Sequence, residues 1–177
     1  MQSSSFVTRK DNELLNQEVV FVDDNFFSVF SMPLLTGNPK TALADVNSIV
    51  LSEDLAHKYF GTKDAVGKTI DLKIGESFET FTVSGVARRS PQNSSIQFDA
   101  LLPFKFQEIR GWHDNEWLGF YMNTFVLLHE KADYLSVVPK LDRVFYTKAR
   151  EELSRREGAK PNIHFDLQPF LDIHQAS

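Results

Sequence analysis

Cysteine is missing from all 177 residues. Its absence removes any disulfide frame and any thiolate metal site, and leaves the redox compartment unreadable. No run of about 18 apolar residues occurs, so nothing in the sequence is long enough to cross a bilayer as a helix. The opening MQSSSFVTRK is polar and lacks the apolar centre of a secretory signal. Positive charge is scarce: 19 Lys and Arg against 24 Asp and Glu leave a net charge of −5. Without clustered cations to neutralise phosphates, nucleic acid is not an expected partner. Repeats and low-complexity tracts are also absent. Phenylalanine is abundant, with sixteen copies, which points to an aromatic interior or an apolar patch for a partner. At 42% apolar and 24% charged, the chain has the composition and length of one globular domain, 1–177.

The best-specified stretch is 47–86. Residues 46–51 are apolar and β-branched, as in a buried strand. Ser52 can cap a following helix, with Glu53 and Asp54 at its positive end and His57 and Lys58 near its negative end. Leu55, Ala56, Tyr59 and Phe60 form its apolar stripe, which predicts a buried Phe60, and Gly61 supplies the left-handed stop. Ile70, Leu72 and Ile74 alternate with Asp71 and Lys73 in a half-buried strand. Gly75-Glu76 turns the chain, and Phe81, Val83 and Gly85 share one face of the returning strand.

Upstream, residues 1–17 read as frayed, with Phe6 and Val7 the early strand candidates, and 18–22 as a short strand. Asp23, Asp24 or Asn25 can cap a helix carrying Phe26, Phe27, Val29 and Phe30, which Met32-Pro33 ends. Leu34 and Leu35 enter the core before the Gly37-Asn38-Pro39 turn, and a helical turn is expected over 40–44. Downstream, 96–103 reads as a strand and 104–110 as a short helix, followed by a polar segment bearing Trp112 and Trp117. Residues 121–129 are apolar on both faces, as in a central strand. A long helix over 137–157 follows, capped by Ser136, with Val138, Leu141, Phe145, Ala149 and Leu153 as its stripe. Ile163, Phe165 and Leu167 then alternate with polar residues in a second strand, which predicts a right-handed βαβ unit. The fold class is therefore α+β: a small β-rich lobe with one short helix over 18–95, and a mixed-sheet lobe with the C-terminal βαβ unit over 96–177.

Candidate chemistry is thin. The five histidines make no ligand motif, and His164 with Asp166 or Asp172 with His174 are better explained as solvated faces. Gly61 to Thr69 imitates a phosphate loop, but its glycine gap is one residue too long and a strand, not a helix, follows. No nucleophile elbow or Ser-His pairing is visible, and the acidic pairs serve as caps. No metal, cofactor or catalytic residue is assigned. Trp112 and Trp117 are the candidates for a partner surface.

One set of strings goes further. SIVLSEDLAHKYFG, AVGKTIDL and FTVSGVARRSPQNSS, flanked by VDDNFFSVFSMPLLTGNPKTAL and LQPFLDIHQAS, resemble the extracytoplasmic, MacB-like periplasmic core domain of MacB/FtsX-type ABC-transporter permeases. The residues that match are Phe27, Phe30, Gly37, Ser52, Ala56, Phe60, Gly61, Gly67, Lys68, Val83, Gly85 and Val86. By their chemistry they are core, cap and turn positions.

The resemblance implies a domain facing the periplasm from the bacterial inner membrane, driven through the membrane part by an ABC ATPase subunit or domain. It implies no bond-making chemistry but the passing of nucleotide-driven motion to export or release of a substrate, or to a periplasmic adaptor, lipoprotein or peptide. The full-length protein would be dimeric. It also implies a loop excised from between two membrane helices, with Met1 an expression start. An upstream strand and helix, belonging to the lobe of the βαβ unit, would be missing. That lobe should then carry an open edge, and either self-associate or recruit the N-terminal residues as a strand. The alternative is a free-standing, non-enzymatic peptide- or glycan-binding module, and hydrophobic spans in the flanking gene sequence would decide between the two.

Overall fold

The computed structural model describes residues 1–10, 13–91, 94–112, 123–149, 154 and 164–170. They fall into two compact units, Met1–His113 with Met122–Phe125, and Asp114–Tyr121 with Val126–Ser177.

The first unit is built on seven strands. These are β1 (Gln2–Lys10), β2 (Glu13–Val22), β3 (Leu34–Gly37), β4 (Ser48–Ser52), β5 (Thr69–Ile74), β6 (Ser77–Ala87) and β7 (Ala100–Pro103). Three helices join them: α1 (Phe26–Phe30), α2 (Glu53–Phe60) and α3 (Phe104–Arg110). The strand order is β3-β6-β4-β7-β2-β1-β5, and β5 also pairs with β6, so the sheet closes on itself from β6 round to β5. Beyond β5, β3 continues along the edge of β6, with Gly37 opposite Gly85. Two pairs in the ring are parallel, β2 with β7 and β4 with β6; β4 with β7, β1 with β2, β1 with β5 and β5 with β6 are antiparallel.

Strand alternation divides the core in two. Val19, Phe21, Ile49, Leu51, Ile70, Leu72, Phe81, Val83, Ala100 and Leu102 turn to one side, where Leu55 and Ala56 of α2 and Phe106 of α3 join them. Val20, Val22, Val50 and Leu101 turn to the other, against Phe26, Phe27, Ala42, Leu43 and Ile96. β4 and β7 are buried on both faces, which is why they read as unbroken apolar runs rather than alternating ones.

The local predictions over 47–86 match this unit closely. Ser52 caps α2, its Oγ accepting from Leu55 N at 3.2 Å, and Gly61 closes the helix at φ +70°. Gly75 carries φ +60° at the two-residue hairpin between β5 and β6, where glycine at the first turn position suits the strand twist. Helix 104–110 is found as expected, stopped by Gly111 at φ +63°.

Several expectations need correction. The described residues of 1–17 are not frayed: β1 and β2 pair antiparallel from Gln2–Phe21 to Lys10–Glu13. Phe60 is half-buried rather than buried, lying at the rim of the core. The strand over 96–103 is confined to Ala100–Pro103, because Ser94, Gln97 and Pro91 hold the preceding residues in a turn. At the start of α1, Asn25 makes no side-chain cap bond, and backbone bonds from Phe26 to Asp23 and from Val29 to Asn25 serve instead. Since β7 pairs in the sheet of the first unit and α3 lies in the same unit, the compact units do not divide at residues 95 and 96.

In the second unit, α4 (Val138–Lys148) follows a 3-10 turn over Tyr134–Ser136. Asp133 caps that turn, and Ser136 donates back to Asp133 O at 2.7 Å, so Ser136 does not cap α4. The expected stripe is present as far as it is described, with Phe145 and Ala149 buried and Leu141 half-buried. Leu153 lies outside the described residues.

The predicted flanking strands are not found: 123–129 and 164–168 form no strand, and their remaining residues, 121–122 and 162–163, lie outside the described set. Leu127 is 75% exposed. Phe165 N, instead of entering a ladder, donates to Asp142 Oδ1 on α4 at 2.9 Å. An apolar alternation says which face a strand would bury and not that a partner strand exists.

Candidate functional site

The residues of the family-like signature converge on the strand–helix–hairpin stretch and its neighbours. Ala56, Val83 and Val86 lie in the core beside Leu55 and Ile49, and Phe27 lies in the core of the opposite face with Phe30 partly buried beside it. Gly67, at φ +84°, donates to Val83 O at 2.8 Å, and Val83 donates back to Lys68 O at 2.8 Å. This exchange pins the turn after α2 to β6. Lys68 then extends its ammonium over the Phe60 ring, 5.2 Å from the centroid, shielding the exposed side of that half-buried ring.

Gly37 and Gly85 form the tightest contact. The pairing of β4 with β6 slips between Ile49 and Val50, leaving Ser84 as an extra residue on β6. Ser84 Oγ donates to Ala42 O at 2.6 Å and lies 3.1 Å from Ile49 O, so the irregularity is filled by its own hydroxyl. Opposite it, Gly37 runs at φ +98°, and a Cβ there would stand 2.5 Å from Ser84 O and 2.7 Å from Gly85 Cα. A Cβ on Gly85 would meet Leu34 Cδ1 at 3.2 Å and Thr36 O at 3.3 Å. Both glycines are there because β3 approaches β6 too closely for a side chain.

Charges on this side are paired at the surface. Glu53 bonds Lys63, whose ammonium is the main reason the Glu53 carboxyl sits below its ordinary range. Arg89 reaches Asp54 at 3.1 Å. The loop that imitates a phosphate site spends its amides internally: Lys68 N on Ala65 O at 3.0 Å, Asp64 N on Thr62 Oγ1 at 3.1 Å, and Gly67 N as described. Thr69 begins β5, so no helix N-terminus faces an anion. His164 faces Asp142, 3.2 Å away, rather than Asp166, whose Oδ1 accepts from Leu167 N at 2.8 Å. Among the described residues, no three His, Asp or Glu side chains converge as a metal site.

A recess of about 110 Å³ beside α1 is lined by Phe26, Val29, Phe30 and Phe125 with Asp23 and Asn25 at its rim. That is below the range of about 300–1,000 Å³ usual for small-molecule sites. Of the two tryptophans proposed for a partner surface, Trp112 is 46% exposed, with its ring edge-on to Phe106 at 5.7 Å. Trp117 lies outside the described residues.

Sequence reasoning missed a polar cluster where β1 meets β5. Arg9 pairs with Asp71 at 3.1 Å and lies 4.4 Å from the Phe78 ring centroid, while Thr80 Oγ1 donates to Asp71 at 2.8 Å. The hydrogen bond from Thr80, then that from Arg9, hold the Asp71 carboxyl below its ordinary value. No short motif marks the cluster, because Arg9 on β1 is 62 residues from Asp71 on the β5–β6 hairpin. Asp99 was missed for the same reason: its carboxylate accepts from Glu18 N at 2.8 Å and its carbonyl from Ser52 N at 2.8 Å, tying β2 to β4.

Comparison with known proteins agrees with this architecture. Residues 1–144 match the family model of the MacB-like periplasmic core domain. Among solved structures, a domain of a permease protein from Porphyromonas gingivalis is 26% identical with a TM-score of 0.59, covering 95% of this chain and 75% of its own. The periplasmic region of MacB from Actinobacillus actinomycetemcomitans is similar in fold at 15% identity, again with a TM-score of 0.59, covering 89% of this chain and 75% of its own. No curated protein matches the chain. No described helix is long and apolar enough to cross a membrane. With the family model spanning most of the sequence, the chain belongs to the MacB-like periplasmic core domain family of ABC-transporter permeases.

Proposed function

We propose that this domain works without enzymatic chemistry, coupling ATP-driven motion of membrane helices to export or release of a substrate, or to a periplasmic partner. The observation that carries the reading is the family match over residues 1–144. The described residues suit it: the signature positions brace the close packing of α2, the turn after it, β3 and β6, and a stiff body transmits displacement better than a loose one. The partners proposed are an ABC ATPase, acting through the membrane part, and an adaptor, lipoprotein or peptide on the periplasmic side, with Trp112 on the docking surface. The whole protein is proposed to be a dimer in the bacterial inner membrane.

The test uses the full-length gene product. Glu76→Cys, at the exposed hairpin turn, places a thiol in a domain that has none. Labelling by a membrane-impermeant maleimide in intact spheroplasts, with co-purification of an ABC ATPase, is expected. Labelling only after lysis would overturn the topology, and a full-length product that purifies without any ATPase would overturn the coupling role.

A further inference from the structure

We propose that the pairing of β1 with β5 is a latch, a seam at which the distal part of the N-terminal hairpin parts from the ring while the remaining strands stay folded. The inference rests on the geometry of the sheet and is independent of the transport reading.

The seam is short, with Thr8 opposite Leu72 and Arg9 opposite Asp71. The pairings on either side of it run the full length of β1, against β2, and of β5, against β6. β2 is held to β7 across Val19–Val22, and Glu18 is held by Asp99. Beyond that anchor, the ladder connecting residues 13–16 to the ring passes through β1. The pairing of β4 with β7 is equally short, but parting it would bring Val50, Leu51, Ala100 and Leu101 out of the core. Of the four residues paired across the β1–β5 seam, Thr8 and Leu72 are buried, and parting them leaves both hairpins intact.

What closes the seam from outside is polar and solvated. Arg9 bonds Asp71 and stands over Phe78, the Tyr59 hydroxyl donates to Arg9 O, and Lys10 Nζ donates to Lys58 O at 2.8 Å near the end of α2. The Arg9 side chain is 48% exposed and that of Asp71 32%. Contacts of this kind each shift an equilibrium by less than about tenfold, because water competes for the same groups. Together they can keep a latch closed without making it permanent. Local openings of this sort are cheaper than global unfolding wherever few apolar contacts are lost.

Residue-resolved hydrogen exchange on the whole chain tests the proposal. Within Val7–Lys10 of β1, the amides that face β5 should exchange faster than those of Ile49–Leu51 in β4, while those bonded to β2 stay protected with the hairpin. Arg9→Ala should speed the amides facing β5 about threefold to tenfold, leaving β4 unchanged. Tyr59→Phe, which keeps the ring and removes the hydroxyl donor, should do the same to a smaller degree. If β1 and β4 exchange alike in the unmodified chain, or if both variants speed the two strands equally, β1 opens only with the whole fold and there is no latch.

Discussion

Replacing Gly37 by alanine tests whether the close approach of β3 to β6 is enforced by sterics. Two costs add at this position. An L-residue at φ +98° is strained by about 1–2 kcal/mol. The new Cβ would also fall 2.5 Å from Ser84 O and 2.7 Å from Gly85 Cα, both backbone atoms that cannot rotate away. Relief requires the strands to separate, an overpacking cost of about 1–3 kcal/mol. The stiffer unfolded chain of the variant returns about 0.4–1 kcal/mol, for a net loss of about 2–4 kcal/mol.

Gly61→Ala is the internal control. Its φ is also positive, at +70°, but nothing lies within 4 Å of the added Cβ, so the conformational cost of about 1 kcal/mol stands alone. In urea unfolding followed by circular dichroism, with a slope of about 2 kcal/mol/M, the midpoint should fall by about 1–2 M for Gly37→Ala and by about 0.5 M for Gly61→Ala. Equal shifts would show that β3 can move off β6 at no cost, and would refute the steric account of Gly37. No shift for Gly61→Ala would refute its role in ending α2.

Two further outcomes follow from the same sheet. Ser52→Ala removes the oxygen that accepts from Leu55 N and should destabilise by about 1 kcal/mol in the same urea assay. Asp71 is held below its ordinary value of 3.8, first by Thr80 and then by Arg9. Its contribution is therefore complete above that pH and drains away as pH falls through the lowered folded-state value. Thr80→Val should accordingly lower the melting temperature at neutral pH and converge on the unmodified chain as pH falls below the ordinary carboxylate value; a gap that stays constant on acidification would mean that Thr80 does not act through the Asp71 carboxylate.

Sequence reasoning succeeded where both partners of an interaction are neighbours in the chain. Ser52 finds Leu55 three residues on, Gly61 bonds back to His57, and β5 meets β6 across a two-residue turn. Each can be read from a window of ten residues. The paired glycines were legible as turn or core positions, but their reason was not. Gly37 is small because of Ser84 and Gly85, which lie nearly fifty residues away in the chain and reach it only through an irregular pairing.

The failures have the opposite cause. β1 is polar, and Ser3, Ser4 and Ser5 carry no strand signal of their own, yet it is a strand because β2 runs beside it along its whole length. Residues 123–129 and 164–168 carry the apolar pattern of strands and are not found as strands, the second segment because Asp142 takes the Phe165 amide and faces His164. β-propensity describes what fits a half-buried pleated surface, and the surface has to be supplied by another part of the chain. The same reasoning explains why no signature residue marks the closure of the ring. Turns and caps are fixed by residue type, and so leave a readable trace in sequence. A seam such as Arg9 with Asp71 is fixed by two side chains that several other ion pairs could replace, so no residue type in the sequence announces it.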